Sequence, residues 1–292
     1  MQQVYDIDIN EARKGYMPDG GLFSHALYVS QQTELNPRGS SYSAYSPAFI
    51  ASNEQVREII EFLQPAGKTA LAVAGSGDMP LFLTAYDAVH VDTFDISYNA
   101  RVIMDIKTYM CQQQMYFCDY ASVLRDLWGA YDVLKCKSSD IVCKAVSNDT
   151  LKYLDGMRGC KIFARSVINE FRFCPTASEF DALRQKVRER YNFIWSDLFD
   201  VCGQITDKSY DIIYLSNVFQ YVYNTKDIVN VLSDLRNHLN PNGMMVVDSL
   251  LPNMRGTSVQ RMKNYHTVGQ VISSWAELIY DKNAMSLFLK MK

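Results

Sequence analysis

The sequence predicts an α/β protein built on a doubly wound, mostly parallel sheet, and three observations carry that prediction. Short apolar runs such as TALAVA at 69–74 and DIIYL at 211–215 are bounded by turn residues. They alternate with stretches whose apolar residues recur at helical spacing, and that alternation implies right-handed crossovers between parallel strands. The first run opens onto Gly75-Ser76-Gly77-Asp78, a loop in the place where such sheets bind ligands.

The elements follow in order. Residues 1–50 are rich in Gly, Ser, Tyr and Pro without a sustained period, and read as an N-terminal arm or lid. Ser52 and Gln55 have capping-box spacing, and Val56, Ile59, Ile60 and Leu63 then form one apolar stripe that Pro65 and Gly67 end. After the TALAVA strand, HVDTFDI at 90–96 reads as a second strand. Val102, Ile103, Ile106 and Met110 put a helix over about 99–110. The stretch at about 112–175, with short helices at 121–127 and 148–153, reads as an insertion over one end of the sheet.

Thr176 with Glu179 makes a second capping box, ahead of Phe180, Leu183 and Val187. Strands follow at 191–195 and 211–215. Ile228, Val231, Leu232, Leu235 and Leu239 give the cleanest helical stripe, closed by Asn240-Pro241-Asn242-Gly243, and 244–247 is the fifth strand. Residues 276–280 and 285–291 flank Asp281, Lys282 and Asn283 as in an antiparallel hairpin, expected to add an antiparallel edge. The reading is one α/β domain over 51–292, preceded by the arm.

Composition narrows the function classes. The chain has 292 residues, 48% of them apolar and 21% charged, enough to bury a sizeable core. The net charge of −3, without a long basic run, disfavours nucleic acid and favours a small-molecule partner. Seven cysteines without a C-x-x-C pair read as reduced thiols in a cytoplasmic protein, and four scattered His leave no metal spacing. Residues 1–12 carry no apolar run, so no signal peptide is expected. No stretch reaches the roughly 18 apolar residues of a membrane span.

The loop chemistry is more specific. Gly75 and Gly77 let a ligand approach the backbone, and the helix behind them directs N–H groups at it. A dinucleotide loop would carry a third glycine where Pro80 stands, and Asp78 would set like charge against a pyrophosphate. Asp95, 20 residues after Gly75 at the end of the second strand, is placed to accept ribose hydroxyls. Two carboxylates beside this loop suit a nucleoside with positive charge, and S-adenosylmethionine is such a molecule. Each feature also has an ordinary reading, since a G-x-G can be a plain turn, Asp95 a helix cap and Asn217 a turn residue.

The runs Ala70 to Asp78 (ALAVAGSGD), Phe94-Asp95-Ile96-Ser97 and Tyr210 to Asn217 (YDIIYLSN) resemble motifs I, II and IV of class I S-adenosylmethionine-dependent methyltransferases, a likeness spanning about 65–291. The SGD loop, FDIS and the helix bearing Asp105-Ile106-Lys107 are also similar to betaine-lipid-type 3-amino-3-carboxypropyl transferases. Two departures stand out: Val73 or Ala74 replaces the usual acid before the loop, and the insertion interrupts the standard order.

The resemblance implies a Rossmann-like, class I methyltransferase-type fold. It places Gly75, Ser76, Gly77 and Asp78 around the methionine part of the cofactor, Asp95 and Ile96 at the ribose, and Asp197 and Leu198 at the adenine. Ser216 and Asn217 would face the reacting centre. Tyr45, in an arm that can close over the site, is a further cofactor contact. Tyr214 and Tyr221 are expected at the sulfonium with Asn217, and Tyr42 and Tyr223 are further aromatic candidates. His25 and His266 are candidate bases, although an ordinary surface role suits both. Methyl transfer to a small molecule is the expected reaction. Attack at the methionine γ-carbon, releasing methylthioadenosine, a non-catalytic adenosyl-binding relative and a dinucleotide oxidoreductase are the alternatives.

Overall fold

The computed structural model describes residues 46–52, 54–164, 175–187, 191–221, 225–247, 268–282 and 286–292. Its strands are β1 (Ala48–Phe49), β2 (Thr69–Val73), β3 (His90–Asp95), β4 (Phe163–Ala164), β5 (Asn192–Trp195), β6 (Tyr210–Tyr214), β7 (Leu239–Val247), β8 (Ala276–Asp281) and β9 (Ser286–Met291). Around them lie α1 (Val56–Leu63), α2 (Asp78–Ala85), α3 (Tyr98–Gln112), α4 (Phe117–Gly129), α5 (Ser139–Ala145), α6 (Asn148–Gly156), α7 (Ala177–Lys186), α8 (Val201–Gln204) and α9 (Thr225–Arg236).

Seven strands form one sheet in the order β5-β3-β2-β6-β7-β9-β8. From β2 the chain winds outward through β3 to β5, then returns past β2 to lay down β6 and β7, all parallel. The sheet is therefore doubly wound, with its switch point between β2 and β6. The closing hairpin adds the antiparallel edge that the sequence predicts: β9 pairs antiparallel with both β7 and β8, and β8 is the outermost strand, running the same way as β7.

Strand alternation builds two cores. Ala70 and Ala72 of β2 and Ile212 and Tyr214 of β6 face one layer, which takes the stripes of α1, α2 and α3. Leu71, Val73 and Ile213 face the other, against Ile228, Val231, Leu232 and Leu235 of α9. Alanines on the first face let three helices come close. Each fully buried side chain of the α1 stripe contributes about 1.5–3 kcal/mol.

The described part of the 112–175 stretch packs on the first of these layers. Helices α4, α5 and α6 bury Tyr120, Leu124, Val142 and Tyr153 in the same core as α1 to α3, extending that layer. Within it β4 pairs in parallel with β1, so Ala48 faces Phe163 and Phe49 faces Ala164. The end of the arm and the insertion are thereby joined.

Two local expectations fail for identifiable reasons. The Thr176–Glu179 capping box forms, but Ser52 caps nothing in that way: Gln55 is the N-cap of α1 without a side-chain bond. Asn240 to Gly243, expected to close a helix, belong to β7, where Asn240 donates to Asp211 at 2.9 Å. A Cβ on Gly243 would stand 2.8 Å from the Asn240 carbonyl, so only glycine fits the bend.

Candidate functional site

Four neighbouring strands, β5, β3, β2 and β6, end side by side, and the residues that follow them form a row. Asp197 and Leu198 follow β5, Asp95 and Ile96 close β3, Gly75 to Asp78 follow β2, and Ser216 and Asn217 follow β6. With adjacent strands about 4.8 Å apart, the row is about 14 Å long.

At its centre is the glycine loop. Gly75 and Gly77 both have positive φ, 51° and 81°, which glycine adopts without steric cost. Their surroundings differ. A Cβ on Gly77 would stand 2.9 Å from Met104 Cγ, so this glycine lets the loop sit on α3, whereas around Gly75 no atom lies within 4 Å of such a Cβ. The open side of the loop is therefore at Gly75.

Asp95 is buried beside that opening. Its Oδ2 accepts the Gly75 amide at 2.9 Å and its Oδ1 the Ser97 amide at 2.8 Å. Burial raises its pKa to about 6, against the lowering effect of the main-chain donors at Ser97, Gly75 and Ile96. Two oxygens carry about four lone-pair positions, so beside these three donors capacity remains for an incoming hydroxyl.

Asp78 is differently placed than its chemistry suggested. It sits in the first turn of α2, where negative charge favours the helix dipole, and is only 1% exposed. Lys107 of α3, itself 0% exposed, forms an ion pair with its Oδ1. Its Oδ2 accepts the Ser52 amide at 2.7 Å and the Ser76 hydroxyl at 3.0 Å. The expectation that Asp78 offers its charge to a ligand cation is thus corrected: the cation it meets is Lys107, and the pair fixes the loop from below. Asp78 and Asp95 still flank one loop, the first through Ser76 and the second through Gly75.

The ends of the row are ordered by their own turns. Asp197 Oδ1 accepts the amides of Phe199 and Asp200, each at 2.8 Å, and Leu198 is buried against the α9 layer. Ile96 holds Trp195 of β5 through its carbonyl, Nε1 to O 2.8 Å. At β6, Ser216 has φ 56°, a left-handed conformation uncommon for a residue with a side chain, and its hydroxyl bonds the Glu54 carboxylate as well as Asn217 Oδ1 at 3.4 Å. Strain of this kind clusters at functional sites.

Tyr214, two residues before Ser216 and expected at the sulfonium, is buried in the core facing α1 to α3. The side chain of Tyr221 lies outside the described residues, as do Tyr42, Tyr45, Tyr223, His25 and His266.

The end of the arm contributes Ser46, which sequence reasoning did not single out. The Ser46 carbonyl accepts from the Ser97 hydroxyl and, at 3.1 Å, from Asn99 Nδ2, while Tyr153 of the insertion donates to Asn99 Oδ1 at 2.9 Å. Ser46 at the end of the arm, and Ser52 and Glu54 just after it, thus tie this part of the chain to the ends of β3, β2 and β6 respectively. The signal for this was weak, since each contact joins residues far apart in sequence. A groove of about 530 Å³ between α1, α2 and α7, lined by Ile60, Phe82, Tyr86 and Lys186, contains none of these residues. Among the described residues no cluster of His, Cys, Asp and Glu could hold a metal ion, and no helix is long and apolar enough to cross a membrane.

Comparison with known proteins gives structural likenesses alone. No protein-family model and no curated protein sequence matches. Among solved structures, the chain is similar to the rRNA methyltransferase aviRa from Streptomyces viridochromogenes, at 10% identity and TM-score 0.42 over 84% of this chain and 85% of that one. It is also similar to the N-methyltransferase NodS from Bradyrhizobium japonicum, determined with S-adenosyl-L-homocysteine, at 10% identity and TM-score 0.38 over 82% and 88%. A third likeness is to a proposed S-adenosylmethionine-dependent methyltransferase from Streptococcus mutans, at 12% identity and TM-score 0.39, where 82% of this chain spans 48% of that one. At these scores the overlap is loose, and the assignment of the site rests on its own geometry.

Proposed function

We propose that this protein is an S-adenosylmethionine-dependent transferase that moves the methyl group to a small-molecule acceptor. The single observation carrying this reading is Asp95, a buried carboxylate whose donors are main-chain amides, held at the end of β3 beside the open side of the Gly75 loop. Such a group is pre-set to accept a ribose hydroxyl, and the row of strand ends offers an elongated ligand about 14 Å of binding surface. Asp197 and Leu198 would hold the adenine end, Asp95 and Ile96 the ribose, the loop from Gly75 to Asp78 the amino-acid end, with Ser216 and Asn217 nearest the acceptor.

When bound, the cofactor supplies an activated carbon on a sulfonium. The chain's residues need only hold the acceptor in line with it and exclude water, and orientation of this kind is worth about 7–11 kcal/mol of a barrier. Lys107 serves this by locking Asp78, so that the loop keeps one shape. The overall charge of −3 supports a small acceptor over nucleic acid.

The experiment is to incubate the protein with methyl-labelled S-adenosylmethionine and a metabolite extract freed of macromolecules, then to separate the products. Label in a small molecule together with S-adenosylhomocysteine is expected. Label retained in methylthioadenosine would mean γ-carbon attack instead, and binding of the cofactor without turnover would favour a non-catalytic adenosyl-binding protein.

A further inference from the structure

The groove between α1, α2 and α7 lies apart from the row of strand ends. Its floor is apolar, with Ile60, Pro65, Phe82 and Ala85 all buried, and Tyr86, its ring 14° from the plane of Phe82, forms a half-buried wall. Its volume of about 530 Å³ lies within the roughly 300–1,000 Å³ that holds a small organic molecule. A single helix relates the two places: α2 begins at the Gly77 loop and ends at Tyr86.

The charges around this floor leave a negative surplus. Glu179 is committed to Arg57 through bonds of 2.6 and 2.9 Å, and Asp87 to Lys186 at 2.8 Å. Glu61, exposed on the rim, has no ion pair or hydrogen bond among the described residues. Two helices, α1 and α2, end here, and neither has a basic residue in its last turn. The negative ends of their dipoles draw lysines from elsewhere, Lys68 onto the Leu63 carbonyl at 2.6 Å and Lys186 onto the Ala85 carbonyl at 2.7 Å. Burial raises the pKa of Tyr86, and Glu179 and Glu61 add to that rise while Arg57 and Lys186 oppose it. The unpaired Glu61 therefore acts on the groove wall.

An apolar floor, a tyrosine ring and one unpaired carboxylate complement a ligand with an apolar body and a single ammonium. Such a ligand covers Ile60 and Phe82 with carbon and sets its cation between Glu61 and the Tyr86 ring, whereas an anionic ligand meets like charge. We propose that this groove is a second ligand site, separate from the row of strand ends, that takes a small amphipathic amine. The proposal stands independently of the transferase reading.

The test uses three fluorescent probes with one aromatic body. Dansylcadaverine ends in a primary ammonium, N-pentyl dansylamide in a methyl group and dansyl-aminohexanoate in a carboxylate. Titrated into the full chain and followed by dansyl emission, the amine should bind about threefold more tightly than the pentyl probe, and the carboxylate most weakly. Glu61→Gln, on the surface, should bring the amine and pentyl affinities together. Ala182→Trp, which fills the groove from α7, should weaken all three probes by about tenfold or more. Equal affinities of amine and pentyl probes in the parent protein, a preference undiminished in Glu61→Gln, or unchanged binding in a folded Ala182→Trp would overturn the proposal. An amphipathic peptide of Leu and Lys that binds more tightly than dansylcadaverine, and is lost in Ala182→Trp, would also overturn it and give the groove to a protein partner. If the tryptophan variant does not fold, the comparison in Glu61→Gln decides.

Discussion

Asp92 and Asp95 lie three residues apart on one strand, both buried, and their environments push them in opposite directions. Asp92, towards the amino end of β3, accepts from His90 at 2.9 Å, Asn192 at 2.7 Å, Lys208 at 2.7 Å and Tyr210 at 2.8 Å. Burial alone would raise its pKa, but the Lys208, Asn192 and Tyr210 donors outweigh it and the pKa falls. Asp95, at the carboxyl end, has main-chain donors and is raised to about 6. Side-chain donors saturate the first carboxylate and make it a structural knot. Main-chain donors fix the second in place without offsetting its burial, and the proposed role in ligand binding rests on that difference.

The largest effect that sharpens this contrast concerns the third buried acid. Lys107→Met strands Asp78 without its cation, and removing one partner of a buried pair costs about 3–5 kcal/mol, to be read as a lower denaturant midpoint. Asp92→Ala should cost about 1–3 kcal/mol, because the Tyr210 hydroxyl loses its acceptor, and should leave S-adenosylhomocysteine affinity unchanged in titration. An affinity loss there would break the separation of the two ends.

A pH dependence tests Asp95 itself. Asp95 has a folded pKa of about 6, above its usual 3.8, so the folded state holds an extra proton between those values. Its contribution to stability therefore falls as pH rises through that window and is constant above it. Ribose hydroxyls donate to the charged form, so binding runs the other way. S-adenosylhomocysteine affinity should weaken by up to about tenfold for each pH unit below about 6, and calorimetry on Asp95→Asn should show that slope flattened.

Much of this was legible in the sequence because it is local. The TALAVA and HVDTFDI runs, the Gly75 loop, Asp95 and the Thr176–Glu179 cap each declare themselves within about ten residues. What was not legible is what joins distant positions. Lys107 and Asp78 are 29 residues apart, Glu54 and Ser216 are 162 apart, and β1 and β4 are two residues each. Nothing in the period of a short segment announces such a partner. The same blindness produced the false cap at Ser52, whose amide Asp78 had taken.

The central claim is that Asp95, and not the equally buried Asp92, recognises the nucleoside. Isothermal titration of S-adenosylhomocysteine into the parent protein, Asp92→Ala and Asp95→Ala tests it most directly. The account predicts matching affinities for the first two and a loss of at least about tenfold in the third, about 1.4 kcal/mol, with the Asp95→Ala protein still folded. Equal binding by a folded Asp95→Ala protein, or equal losses in both variants, would contradict it.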